Sequence, residues 1–170
     1  MKGISRRSML FGICGAFAMP LKPVAAATED PDDPAAKILS VVDGDGRTAK
    51  FSRLDLAQLP QTRFVTAAPF LKTPTPLEGP SVSQLLRAFD PDRTFHRIEI
   101  VALDSYLVSA DISQLEADGA ILAIRQDGAF LPIAEKGPAY LVFPFDDRPS
   151  LKDKSHYGLC IWQISQIRLS

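Results

Sequence analysis

Ile38-Leu39-Ser40-Val41-Val42-Asp43-Gly44-Asp45-Gly46-Arg47-Thr48-Ala49-Lys50-Phe51 is the stretch whose reading separates two fold classes. Within it, Gly44-Asp45-Gly46-Arg47-Thr48-Ala49 matches the G-x-G-x-x-A form of a dinucleotide-binding loop. That loop works only when a helix follows the glycines, because the amides at the helix N-terminus meet the pyrophosphate. Residues 47–51 read as a strand instead. Residues 38–42 and 47–51 therefore flank a glycine-bearing turn, and the pattern is a β-hairpin. The two aspartates of the turn also look like the start of a calcium loop, but the further acidic ligands and the closing glutamate are absent.

Outward from the hairpin the elements are short. Ser52 caps a helix through Leu54, Leu56 and Leu59 that Pro60 stops. Residues 63–67 are β-branched and aromatic and read as a strand. Val82, Leu85, Leu86 and Phe89 recur at helical spacing behind Ser81 as cap. Residues 97–103 alternate as a strand, and 106–110 return beside it. Asp111 opens a further short helix with Ile112 and Leu115. Residues 121–125 form a strand that ends at the turn Asp127-Gly128, residues 140–145 are aromatic and apolar, and 161–169 alternate as a closing strand. Strands dominate, and the helices are too short to cover both faces of a parallel sheet. The expected class is α+β, a mixed, mostly antiparallel sheet with short helices.

The N-terminus reads Met1-Lys2-Gly3-Ile4-Ser5-Arg6-Arg7-Ser8-Met9-Leu10-Phe11, followed by a mildly apolar run to about Pro20 and by Ala25-Ala26-Ala27. It looks like a twin-arginine export signal with a small-residue cleavage site, although Met9 and Phe11 depart from the usual pattern. An ordinary secretory peptide holding two arginines is the alternative. The apolar run is shorter than the ~20 residues a bilayer span needs. The expected organisation is a signal over 1–27, a flexible acidic leader over 28–36 and a single domain over 37–170, exported to the periplasm with no transmembrane anchor after cleavage.

Removing the signal takes four of the 19 lysines and arginines and none of the 20 acidic residues, which leaves a net charge of −5. That balance argues against nucleic acid as a partner. A small-molecule ligand or a periplasmic protein partner remains. Of the two cysteines, Cys14 leaves with the signal, so Cys160 can form no intrachain disulfide and no zinc cluster.

Single motifs point to little chemistry. His96 and His156 are the two histidines, without a carboxylate or cysteine at metal-ligand spacing, so no metal site is expected. No G-x-S-x-G pattern is present, which removes the foothold for a Ser-His-Asp hydrolase. Cys160 reads as a buried, inert thiol, since an activated one needs an electropositive neighbour. Two runs are richer. Lys136-Gly137-Pro138-Ala139-Tyr140-Leu141-Val142-Phe143-Pro144-Phe145-Asp146 sets a cation before a strand and carboxylates after it, and His156-Tyr157-Gly158-Leu159-Cys160-Ile161-Trp162 leads aromatics into another strand. Strand ends gather functional groups, so Lys136, Asp146, Asp147, Tyr157 and Trp162 are the candidate cleft residues, with no catalytic role assigned to any.

Taken in order, these runs resemble the molybdopterin-binding domain of the sulfite oxidase family of oxidoreductases. The resemblance starts at Phe51-Ser52-Arg53-Leu54-Asp55-Leu56-Ala57-Gln58-Leu59-Pro60. It continues through Phe64-Val65-Thr66-Ala67, Glu78-Gly79-Pro80-Ser81-Val82-Ser83-Gln84-Leu85-Leu86, Asp104-Ser105-Tyr106, Ile124-Arg125-Gln126-Asp127-Gly128, Leu131-Pro132, Lys136-Gly137-Pro138 and Trp162-Gln163-Ile164. It covers nearly all of 37–170 and implies that family's α+β fold, molybdopterin as cofactor and oxygen-atom or electron transfer as chemistry. The family's metal takes one protein cysteine from the loop that corresponds here to Ala68-Pro69-Phe70-Leu71-Lys72, and this loop has none. The basic side chains that hold the pterin phosphate near the last strand are also missing from 157–161. The resemblance thus implies a non-classical or degenerate member; the alternative is a ligand- or protein-binding module on the same fold with no redox activity.

Overall fold

The computed structural model describes residues 30–170, so the expected signal over 1–27 lies outside the described residues. The hairpin forms: β1 (Leu39–Asp43) pairs antiparallel with β2 (Thr48–Phe51), Val41 opposite Ala49. Asp43 builds the turn, its Oδ1 accepting from the amides of Asp45 and Arg47 at 3.0 and 2.9 Å. Its Oδ2 accepts from Arg93 at 2.7 Å, Asp45 meets the same guanidinium at 2.7 Å, and Arg47 reaches Asp90 at 2.5 Å. The two carboxylates that resemble calcium ligands therefore share one arginine, Arg93. Gly46, at φ 87°, takes the left-handed position that the turn requires.

Ser52 caps α1 (Arg53–Ala57) in a reciprocal box: its Oγ accepts from the Asp55 amide at 3.0 Å, and Asp55 Oδ2 accepts from the Ser52 amide at 2.7 Å. The Ser52 amide first, and then the Ser52 hydroxyl, which also donates to Asp55 Oδ2 at 2.7 Å, hold the Asp55 carboxyl below its ordinary pKa. Arg53 on the same helix is buried and donates to the carbonyls of Leu131 at 2.5 Å and Pro31 at 3.3 Å. Asp32 accepts from the Ile133 amide at 2.7 Å, and Leu54 donates to the Pro34 carbonyl at 3.0 Å. The part of the expected leader that is described, residues 30–36, thus docks on the domain.

β3 (Gln61–Thr66) and β4 (Thr75–Pro80) pair antiparallel, and α2 (Val82–Phe89) follows with Ser81 as cap and Val82, Leu85, Leu86 and Phe89 buried. β5 (Arg97–Ala102) and β6 (Leu107–Asp111) form a second hairpin, and α3 (Ile112–Ala117) buries Ile112 and Leu115. The expected strand over 121–125 divides at Ile124 into β7 (Ile121–Ala123) and β8 (Arg125–Gln126), which serve different sheets. The Ile124 amide donates to Glu78 and its carbonyl accepts from Leu131, each at 2.9 Å, so the break leaves no backbone group orphaned. β9 (Ala129–Phe130) closes a hairpin on β8 through Asp127 and Gly128, both at positive φ. β10 (Tyr140–Val142) is fully buried.

Two readings need correction here. Residues 154–159 do not lead into a strand but form a helix, α4 (Lys154–Leu159), capped by Asp153, whose carboxylate accepts from the His156 amide at 3.0 Å. The closing strand β11 starts later than expected and runs Ile164–Leu169. Cys160 accordingly sits at the C-cap of α4 rather than at the opening of that strand.

The sheets are mixed, as the α+β reading expects. A five-stranded sheet runs β2-β1-β11-β5-β6, with β11 parallel to β1 and the other pairs antiparallel; a four-stranded sheet runs β3-β4-β8-β9, and β10 pairs with β7. The core fills the space between them, with Val41, Leu77, Leu85, Tyr140, Phe143, Phe145 and Ile167 fully or almost fully enclosed. Each such side chain contributes roughly 1.5–3 kcal/mol by burial.

β4 and β7 approach so closely at Gly79 that a Cβ there would lie 1.9 Å from the Leu122 carbonyl oxygen. Gly79→Ala should therefore cost about 1–3 kcal/mol or prevent folding, because backbone must move. Gly44→Ala, where a Cβ meets nothing within 4 Å, should stay within about 0.5 kcal/mol of the parent. Urea unfolding of both variants checks this; equal effects would refute the close approach.

Candidate functional site

α4, the turn before β6 and the loop after β3 meet around a cluster of aromatic rings. Phe70, from the loop 68–72, stands at its centre: its ring lies edge-on to Tyr140 at 6.0 Å and to Tyr157 at 6.4 Å, and tilted against Trp162 at 5.8 Å. Trp162 is in turn edge-on to Tyr140 at 6.2 Å, and Tyr157 packs on Phe145 at 5.0 Å. Such offset and edge contacts are worth about 0.5–1.5 kcal/mol each beyond burial. Gln163 orients Trp162: at φ 54° it occupies a left-handed corner, its amide donating to Lys136, its carbonyl accepting from Leu103 and its side chain donating to Ile133 at 2.7 Å.

Phe70 divides two clefts. The first, of about 340 Å³, is lined by Phe70, Ala102, Asp104, Tyr106, Tyr157, Gly158, Cys160, Ile161 and Trp162. The second, of about 430 Å³, is lined by Phe70, Leu71, Lys72, Thr73, Thr75, Gln126, Glu135 and Lys136. Both are of a size that admits small organic ligands.

The five candidate residues divide among these features. Tyr157 and Trp162 border the first cleft, and Lys136 borders the second with its Nζ 5.8 Å from the Trp162 ring centre. Asp146 lines neither. It anchors the end of β3, accepting from Lys152 Nζ at 2.5 Å and from the Ala67 amide at 2.9 Å, and the Lys152 bond chiefly holds its carboxyl below the ordinary range. Asp147 is exposed and lines neither cleft. Lining residues that were not among the cleft candidates include Phe70, Lys72, Asp104 and Tyr106. Asp104 and Tyr106 occupy a turn between two strands, the place where loops gather functional groups.

His156 has carboxylate partners, contrary to the sequence reading. Its Nδ1 is 2.8 Å from Asp153 and its Nε2 3.1 Å from Asp118, and its ring stands edge-on to Phe143 at 5.4 Å. Burial lowers the imidazole pKa, but the hydrogen bonds and charges of Asp153 and Asp118 outweigh it and the net shift is upward. The clamp fixes α4, which carries Tyr157 and Gly158 to the cleft. His96 is exposed in the segment just before β5. No group of three or more metal-ligating side chains occurs among the described residues.

The donor set does not fit a thiolate-held metal. Cys160 is the one free cysteine among the described residues; it is buried, its pKa is pushed up to about 12 chiefly by that burial, and its Sγ donates to the His156 carbonyl at 3.5 Å. On the loop 68–72, Phe70 offers a hydrocarbon ring packed on Tyr140, Tyr157 and Trp162 and no metal ligand. No lysine or arginine lines the first cleft to hold a phosphate. Behind Cys160 the Tyr140 hydroxyl is buried without a hydrogen-bond partner, and burial first, the neighbouring thiol second, keeps it protonated far above the usual phenol range.

No protein-family model matches the chain, and no curated protein matches it in sequence. Among solved structures it resembles the sulfane dehydrogenase SoxCD from Paracoccus pantotrophus, with a TM-score of 0.56 and 15% identity over 82% of this chain. The match spans 39% of the other chain. At that identity the likeness is one of fold.

The His156 clamp makes stability depend on pH with a definite sign. Because the folded-state pKa is raised above the ordinary 6.5, the contribution is full below about pH 6.5 and is lost as pH climbs through the higher folded value. Urea midpoints should fall over that range, and His156→Gln should abolish this component; an identical pH slope in the variant would refute it. Tyr140→Phe removes a buried hydroxyl that has no partner, so stability should hold or rise by up to about 1 kcal/mol. A loss of more than that would show that the hydroxyl is bonded.

Proposed function

We propose that the chain is an exported, non-classical or degenerate member of the molybdopterin-dependent oxidoreductase fold of the sulfite oxidase class, retaining that fold's cleft without the cysteine that would ligate the metal. Two things support the fold assignment: the ordered set of runs from Phe51 to Ile164, and the likeness in architecture to a sulfane dehydrogenase. The observation that carries the degenerate reading is Phe70, packed against Tyr140, Tyr157 and Trp162 on the loop where a thiolate would stand. A soft thiolate is the ligand a redox metal would need there, and a phenyl ring cannot replace it.

The rings also favour a second reading, a binding module whose clefts take a small molecule or a periplasmic protein partner with no redox chemistry. On either reading the domain spans 37–170, and residues 1–27 address it to the periplasm through the twin-arginine route. No helix among the described residues is long and apolar enough to cross a membrane.

Metal and pterin analysis of protein purified from the native periplasm separates the readings. Substoichiometric molybdenum in a folded, cleaved protein is expected; one molybdenum per chain would overturn the degenerate reading. Export is tested by replacing both Arg6 and Arg7 with lysine. The precursor should then accumulate in the cytoplasm, and normal delivery would show that another route is used.

A further inference from the structure

The first cleft combines rings and charge in a way that selects a class of ligand. Phe70, Tyr106, Tyr157 and Trp162 bring four aromatic side chains to it, and Asp104 is the one charged side chain in its lining. The rings are not stacked flat: Phe70 stands at 87° to Tyr157 and at 52° to Trp162, so faces and edges of different orientation border one space. Asp104 Oδ1 accepts from the Tyr106 amide at 2.9 Å, and Ser105 between them sits at φ 71°, a tight turn that holds Asp104 and Tyr106 together in the lining. Aromatic faces attract cations through their quadrupole, and a quaternary ammonium, which has no N–H to donate, is recognised by such a cage. Lys136 already sets a cation over the Trp162 ring, from the side of the second cleft.

We propose that this cleft binds a small quaternary-ammonium ion, the head group held among Phe70, Tyr106, Tyr157 and Trp162 with Asp104 as counter-charge. An anion would meet Asp104 with no basic side chain in the lining to offset it, and an uncharged apolar ligand would desolvate the carboxylate without giving it a partner. The inference rests on the cleft of the reading above and is independent of its metal content.

Trp162 is the single tryptophan of the chain, so its fluorescence reports occupancy. Choline chloride is titrated into the intact protein, with sodium chloride matching ionic strength and 3,3-dimethylbutan-1-ol as the uncharged isostere. A saturable change with choline is expected, at least about tenfold tighter than with the alcohol. Asp104→Asn keeps the carbonyl that accepts from Tyr106 and should weaken choline about fivefold. The proposal is overturned if choline gives no saturation up to about 100 mM, if the alcohol binds equally well, or if Asp104→Asn has no effect. Molybdenum measured in the same sample keeps the two questions apart: a metal-loaded protein that still binds choline defeats only the degenerate reading.

Discussion

Between the start of the domain and its end, β1 and β11 pair in parallel, Val41 opposite Ile167, and on the other side of β11 Ile167 faces Ile100 of β5. All three side chains are buried. Without β11 the hairpin of β1 and β2 would have no link to the hairpin of β5 and β6, and the five-stranded sheet would fall into two ribbons, each marginal alone. The entry to β11 also sets the cleft. Ile164 donates to Ala139 and Gln163 to Lys136, which ties the strand to the segment leading into β10. A register shift between Ile164 and Gln166 lets the chain leave the sheet, and Trp162 emerges beside Ala102 at the cleft wall.

Where local chemistry and tertiary packing agree, the sequence was sufficient. The turn at Asp43, the Ser52 cap and the buried face of α2 each rest on side chains within a few positions of the backbone they serve, so spacing alone reveals them. Local signals failed where distant partners decide. β4 contains Pro76 and Pro80, which argue against a strand, yet it pairs with β3 along its length. β8 pairs with it only at Leu77 and Glu78, so neither proline falls within that ladder, and the Pro76 carbonyl still accepts from the Asp127 amide at 3.0 Å. α4 failed for a different reason. Tyr157, Cys160, Ile161 and Trp162 have the composition of a strand, and the helix exists because Asp153 caps it and because Asp118, far away in the chain, grips His156.

The candidate site was legible as a place rather than as a constellation. Tyr157 and Trp162 lie at the cleft because the segments around β10 and α4 converge there, and Lys136 lies just beyond them. The carboxylates 146 and 147 look alike in sequence but differ in position: Asp146 caps the end of β3 through Ala67 and Lys152, and Asp147 faces solvent. In sequence Phe70 carries no signal beyond its place in the loop 68–72. Its positive role, a ring that touches three others and partitions the cavity, depends on residues supplied by β10, α4 and the approach to β11.

That partition has an electrostatic consequence. The wall made by Phe70 separates a cleft whose charged lining is Asp104 from one whose lining carries Lys72, Lys136 and Glu135. Opposite charges a few ångströms apart interact strongly where rings exclude water and weakly where it enters. Lys136 lies over the Trp162 ring from the lysine-bearing side. The aromatic cluster therefore acts as more than packing: it keeps two small polar environments of different sign apart while sharing the same rings. The chemistry each cleft can recognise follows from the side chains on its own side of Phe70.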